Sequence, residues 1–193
     1  MVRSAPSRLT DQILRIQPGE RVLDIGCGPA DILSRLPAGA DYCGFDTESR
    51  YIEEARLRYG NRGSFFVRSV TPDAIDDLGT FDVVISLGVL HHLNDRDADT
   101  VFACAAKALR PQGRLVTVDP AYVKGQNPVA WLLLKADRGR HVRTPAAYQE
   151  IARRHFSDPK TSVIHDLLAI PYTHCIIEAG PRIGGVDFPR PPV

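Results

Sequence analysis

Two glycines one residue apart, Gly26 and Gly28, follow a short apolar run and stand just after an acid, Asp24. Glycine lets the chain turn tightly and lets its backbone approach a ligand closely. A strand that runs into such a turn and then into a helix offers free N–H groups and a partial positive end, which suits an anionic group. In a dinucleotide site that group is a pyrophosphate and the pattern is G-x-G-x-x-G. Here the last position of that pattern is Asp31, whose carboxylate would repel a pyrophosphate. An acid beside the loop suits a ligand that carries both charges. The ammonium of an amino acid moiety would meet Asp24, and its carboxylate the backbone of Gly26, Cys27 and Gly28. A nicotinamide dinucleotide is the alternative ligand, and Asp31 disfavours it.

Asp46 closes the next apolar run. It lies about twenty residues after the loop, where an acid can accept hydrogen bonds from both hydroxyls of a ribose. Thr47 follows it and would border an adenine. A glycine turn after a strand is common, and an Asp at a strand end often caps a helix. The order and spacing of the set carry the reading.

A second group of candidates could do proton chemistry. His91 and His92 follow the most apolar run of the chain, residues 81–87. Imidazole titrates near neutrality and suits a general base; packing or capping of the turn is the alternative. Asp119 and Tyr122 follow another apolar run and would face the same edge. The stretch 135–143 is basic. Arg140 and Arg143 within it suit bidentate contact with carboxylate or phosphate, which points to a substrate with an anionic group. A solvated basic loop with Asp137 as partner is the bland alternative.

These residues need a scaffold that brings strand ends together. Short apolar runs alternate with helical patterns, which predicts βα units on a parallel sheet. Strands are predicted at 21–25, 42–45, 64–68, 81–87 and 114–119. Helices are predicted at 8–17, from 29 to 36, at 49–59 with Ser49 as N-cap, and at 97–109. After Pro120 two further helices are predicted, at 127–136 and 145–154. The helix over 128–135 is apolar on most faces; core packing is its default role, a lid or a dimer surface the alternative. Two late apolar segments, 162–169 and 173–178, are joined too closely for a crossover, so they must pair antiparallel or splay apart.

Composition bounds the rest. The 193 residues carry a formal net charge of +1, with 44% hydrophobic and 24% charged side chains. No global field recruits nucleic acid or an anionic membrane, and no apolar run approaches the length of a membrane span. The polar start of the chain has no apolar signal core, which predicts a cytoplasmic protein. The four cysteines lack metal-ligand spacing, so no metal is expected, and Cys43 and Cys175 read as buried thiols. A single domain over 1–180 is expected, with its acceptor-covering region near 120–158 and a Pro/Gly-rich, extended tail at 181–193.

The run Val22-Leu23-Asp24-Ile25-Gly26-Cys27-Gly28-Pro29 resembles the first motif of class I S-adenosylmethionine-dependent methyltransferases. Gly44-Phe45-Asp46 resembles their acidic second motif. Residues 81–93, ending Leu90-His91-His92-Leu93, resemble the fourth motif of the small-molecule branch. Residues 108–113 resemble the fifth-strand motif, with Arg114 where a second glycine is often found. The resemblance covers roughly residues 9–120. It implies a Rossmann-like α/β fold: a seven-stranded, mostly parallel sheet with helices on both faces and the last strand antiparallel. It implies S-adenosylmethionine as cofactor, Leu87 beside it, and a small-molecule acceptor methylated by in-line transfer. The family often carries an adenine-binding acid after the third strand; Ser69 and Val70 stand there instead. Ala30 replaces the loop's usual third glycine and should leave helix packing intact. A protein or RNA acceptor, or a module that binds the cofactor without consuming it, are the other readings.

Overall fold

Seven strands form one sheet in the order β3-β2-β1-β4-β5-β7-β6 in the computed structural model, which describes residues 8–137 and 139–180. The expected tail at 181–193 lies outside the described residues.

The strands are β1 (Arg21–Ile25), β2 (Asp41–Asp46), β3 (Gly63–Val67), β4 (Phe81–Leu87), β5 (Leu109–Pro120), β6 (Lys160–Ile164) and β7 (His174–Ala179). β1 to β5 run parallel to one another. β7 runs antiparallel to β5, and β6 antiparallel to β7, as the short junction between them demands. β1 and β4 lie at the centre and are almost wholly buried, which explains their near-continuous apolar runs. Leu23, Val84 and Leu115 pack on one face against α2 (Asp95–Ala108) and α4 (Pro145–Arg153). Val22, Val83 and Val116 pack on the other. The chain reverses direction between β1 and β4, a topological switch point where ligands sit beyond the strand ends.

Four local expectations change. The predicted helix at 29–36 is only a 3-10 turn, Asp31–Arg35. Ala30 before it adopts a left-handed conformation, φ 57°, and Pro37 stops it. So no long helix aims its dipole at the loop. The cap of α1 (Ser49–Tyr59) is Glu48, whose carboxylate accepts the Arg50 N–H, rather than Ser49. β5 begins five residues early, at Leu109, and its pairing with β4 shifts between Phe81 and Val83. Gly113 sits at that irregularity, where an added Cβ would meet the Phe81 carbonyl oxygen at 2.9 Å. The first late segment is strand only to Ile164; residues 165–173 form a loop beside the site. The helix α3 (Pro128–Ala136) buries Ala130 and Leu134 and exposes Val129, Trp131 and Leu132.

Candidate functional site

Two adjoining cavities open at the carboxyl ends of the strands. One, of about 640 Å³, is lined by Asp24, Gly26, Cys27 and Pro29 of the glycine loop. The other, of about 710 Å³, is lined by His91, Asp137, Tyr172 and His174. Leu9, Arg35 and Leu87 belong to both, so the last residue of β4 stands on their shared wall.

The loop is held from below. The N–H groups of Gly26 and Cys27 donate to the Phe45 carbonyl at 2.9 and 3.1 Å, and that of Gly28 to Asp46 Oδ2 at 3.0 Å. Ala30 N–H donates to Cys27 at 2.9 Å. The expectation that these donors are free for an anion is therefore corrected: closure of the tight turn consumes them. Gly26 and Gly28 both have left-handed φ angles, 74° and 54°, and a Cβ on Gly26 would strike Val89 Cγ2 at 2.7 Å. Asp31 is exposed and paired with Arg58, so its charge is answered at the surface.

Asp24 differs. It is 2% exposed, its Oδ2 accepts the Tyr42 hydroxyl at 2.7 Å, and its Oδ1 has no partner. Burial, opposed by the Tyr42 hydrogen bond and reinforced by Asp46, pushes its pKa up to about 7. A buried carboxylate oxygen facing a cavity unpaired is a seat for a cation. S-adenosylmethionine brings an ammonium group, so these residues fit that cofactor. Asp46 closes the neighbouring β2 and accepts the Glu48 N–H at 2.9 Å through its other oxygen. Asp46, Thr47, Ser69 and Val70 do not line the loop cavity; Thr47 and Ser69 are exposed and Val70 is half-buried.

In the second cavity, Asp119 at the end of β5 holds His91. Its Oδ1 accepts the His91 backbone N–H at 3.2 Å and lies 2.9 Å from Nδ1. An ionised Asp119 can only accept, so Nδ1 then carries the proton and Nε2 is left as the basic nitrogen. Burial raises the Asp119 pKa, against the pull of His91. His91 Nε2 lies 3.7 Å from Asp137 Oδ1, too far for a hydrogen bond. Asp137 accepts the Tyr172 hydroxyl and, at 2.9 Å, the Gly139 N–H. Burial opposes its ionisation, but those hydrogen bonds and the two histidines outweigh it, and its pKa falls. His92 stacks on His91 with ring centroids 3.9 Å apart, is exposed, and lines neither cavity. Burial first, then His91, lowers its pKa.

The structure places the expected acceptor residues elsewhere. Arg143 is buried, and all five of its donors are engaged. Nε and Nη2 bond Asp95 at 2.9 and 2.8 Å, and the rest reach the carbonyls of Leu90, Leu93 and His141. It clamps the loop after β4 to the segment before α4. Arg140 is exposed and lines neither cavity. Tyr122 is half-buried, donates its N–H to Arg143 at 3.1 Å and also lies off the cavities. Asp137, Tyr172 and His174 are the residues that sequence reasoning missed. Tyr172 and His174 stand two apart at the entry to a strand, a spacing that puts side chains on one face; that was the available signal.

A doubly wound sheet with its last pair antiparallel, a glycine loop after β1 and an acid after β2 define the class: the fold of S-adenosylmethionine-dependent methyltransferases. Residues 23–115 match the family model described as a methyltransferase domain. A ubiquinone biosynthesis O-methyltransferase of Aromatoleum aromaticum is 35% identical over 133 residues, 64% of this chain and 56% of that protein. The chain spans about half the length of the curated relatives it matches. Among solved structures, the magnesium protoporphyrin IX methyltransferase of Synechocystis PCC 6803, with bound SAH, superimposes with a TM-score of 0.61 at 25% identity, covering 85% of this chain and 74% of that one. A TehB-like SAM-dependent methyltransferase of Corynebacterium glutamicum has a TM-score of 0.64 at 20% identity, covering 92% and 87%, and shares the fold. No helix of the described residues is long and apolar enough to cross a membrane.

Proposed function

We propose that this chain transfers the methyl group of S-adenosylmethionine to a small-molecule acceptor bound in the His91 cavity, with His91 as general base. The observation that carries this is the meeting of the two cavities at Leu87, with His91 Nε2 on the acceptor side. Bound S-adenosylmethionine supplies an electrophilic methyl group. The chain's work is alignment, exclusion of water and movement of one proton. Asp24 holds the ammonium, and Asp46, at the end of β2, the ribose hydroxyls. His91 Nε2 would take the proton that the acceptor heteroatom sheds on methylation. Asp119 orients the ring and stabilises the imidazolium. Neither arginine expected to bind an anionic substituent serves one here, because Arg143 has no donor to give and Arg140 lines neither cavity.

Thermal shift tests the donor half. S-adenosylhomocysteine raises the melting temperature and NAD does not; the reverse result refutes the reading. A methyl-transfer screen over hydroxyl- and amine-bearing metabolites tests the acceptor half. With any acceptor found, His91→Asn lowers kcat by about 10²–10⁴-fold.

A further inference from the structure

Neither nitrogen of His174 has a hydrogen-bond partner among the described residues, although the residue is only 8% exposed. It opens β7, opposite Pro120 of β5 and Ile164 of β6. A valine or isoleucine would suit that place in the sheet, since a buried unpaired nitrogen is costly. Nδ1 is sealed from solvent, yet the side chain lines the acceptor cavity. Among the described residues, the ring beside it is that of Tyr172, with centroids 5.0 Å apart. Tyr172 in turn is bonded to Asp137, which faces His91 Nε2 across 3.7 Å. One cavity therefore has two polar ends: the His91 end, with its carboxylates, and the His174 end, with an unused imidazole.

We infer that His174 is an acceptor-binding residue, which selects ring-bearing acceptors that present an uncharged hydroxyl or carbonyl group away from the methylated atom. This rests on the reading of the His91 cavity as the acceptor site. The uncharged character follows from the surroundings. Burial and His91 push the His174 pKa down to about 4, so the imidazole brings no positive charge. Asp137 and Asp166 also line the cavity; of its two arginines, Arg8 is paired with Asp166, and Arg35 stands on the wall shared with the donor cavity. An acceptor carboxylate or phosphate at His174 would be desolvated beside a neutral imidazole, with two carboxylates on the same lining. A hydroxyl or carbonyl would meet Nε2, the nitrogen that is not sealed from solvent, and the Tyr172 ring beside it suits a flat acceptor.

The test uses the whole chain saturated with S-adenosylhomocysteine, with phenol, benzaldehyde, benzoate and benzene as probes in ligand-observed NMR titrations. Phenol and benzaldehyde bind more tightly than benzene, and benzoate binds no better than benzene. His174→Phe brings phenol and benzaldehyde to the benzene level, a loss of about five- to tenfold, the worth of one hydrogen bond. Its thermal shift with S-adenosylhomocysteine stays that of the wild type. In the wild type, phenol moves the His174 imidazole ¹⁵N resonances, which keeps the test valid should the variant fail to fold. Equal binding of phenol by wild type and variant, unmoved His174 resonances, or preference for benzoate overturns the assignment. If S-adenosylhomocysteine fails to stabilise the wild type, the donor reading falls instead, and the two failures are distinguishable.

Discussion

Gly139 lies so close to His91 that a Cβ on it would stand 2.1 Å from the ring carbon Cδ2 and 3.1 Å from the His91 carbonyl oxygen. The segment after α3 presses onto the imidazole, and His141 N–H donates to the same carbonyl at 2.9 Å. Only a residue without a side chain allows that approach. Gly139→Ala must therefore shift the ring or lift the segment. A displacement of about 1 Å at a reacting group costs on the order of 10² in rate. The variant loses about that much in kcat, while its thermal shift with S-adenosylhomocysteine is unchanged because the donor cavity does not involve Gly139. A fully active Gly139→Ala enzyme shows that His91 is not positioned by this contact.

Arg143 gives the second expectation. Its guanidinium bonds three backbone carbonyls and Asp95, and Asp95 itself is 76% exposed at its side chain. The ion pair therefore contributes little; the three carbonyl bonds dominate, since Leu93 and His141 lose this donor and Leu90 keeps only the Leu93 N–H. Arg143→Met costs about 2–3 kcal/mol of stability, a fall of roughly 5–10 °C in melting temperature for a chain of this size. Arg143→Lys recovers only part, because an ammonium cannot span the same fork of acceptors. Calorimetry checks both. Unchanged stability combined with a raised acceptor KM returns Arg143 to the acceptor-binding role expected from its basic neighbourhood.

That contrast shows what could be read in advance. β1 and β4 were legible because buried central strands are apolar along their whole length, and Val83, Val84 and Ile85 leave no other reading. The glycine loop was legible because Asp24, Gly26 and Gly28 are neighbours in the chain as well as in space. The acceptor end was legible only in part: His91 and Asp119 were expected at one edge, but Tyr172 and His174 were not. His91, Asp119, Asp137 and His174 come from four separate segments, joined only by the sheet order β4-β5-β7. Arg143 was misread for a related reason: the carbonyls that engage it are invisible to residue type. The loop donors were misread because backbone N–H groups in a tight turn close on the turn itself.

Ala30 was read as a small packing residue, but its φ of 57° makes it a conformational one. A left-handed alanine costs about 1–2 kcal/mol. Replacing it by glycine relieves that strain but frees the unfolded chain, worth about 0.4–1 kcal/mol. It also removes a fully buried methyl, worth about 0.8 kcal/mol. These effects nearly cancel, so Ala30→Gly is neutral within about 1 kcal/mol. Ala30→Val adds β-branching at a left-handed backbone and excess volume in a packed position, and loses about 2–3 kcal/mol. Denaturant unfolding of the two variants checks this. A stable valine variant means the loop does not hold residue 30 left-handed.

Asp24 makes cofactor binding depend on pH. Its pKa is raised from 3.8 to about 7 in the folded chain, so in the free protein its contribution to stability is fully present below about pH 4 and is lost as pH rises towards 7. Binding runs the other way. An ammonium group in the cavity favours the ionised carboxylate, so below pH 7 the free protein must release a proton to bind. The affinity for S-adenosylhomocysteine weakens on going from pH 7.5 to 6, approaching about tenfold per unit below the pKa. The groups around the carboxyl are the Tyr42 hydroxyl, Asp46 and Cys27, and none of these is cationic. Asp24→Asn keeps the shape, loses the charge, binds more weakly at pH 7.5 and removes this slope. Isothermal titration in two buffers of different ionisation enthalpy reads the proton release directly. A wild-type Kd that is flat over this range, or a slope that survives in Asp24→Asn, excludes Asp24 as the ammonium's partner.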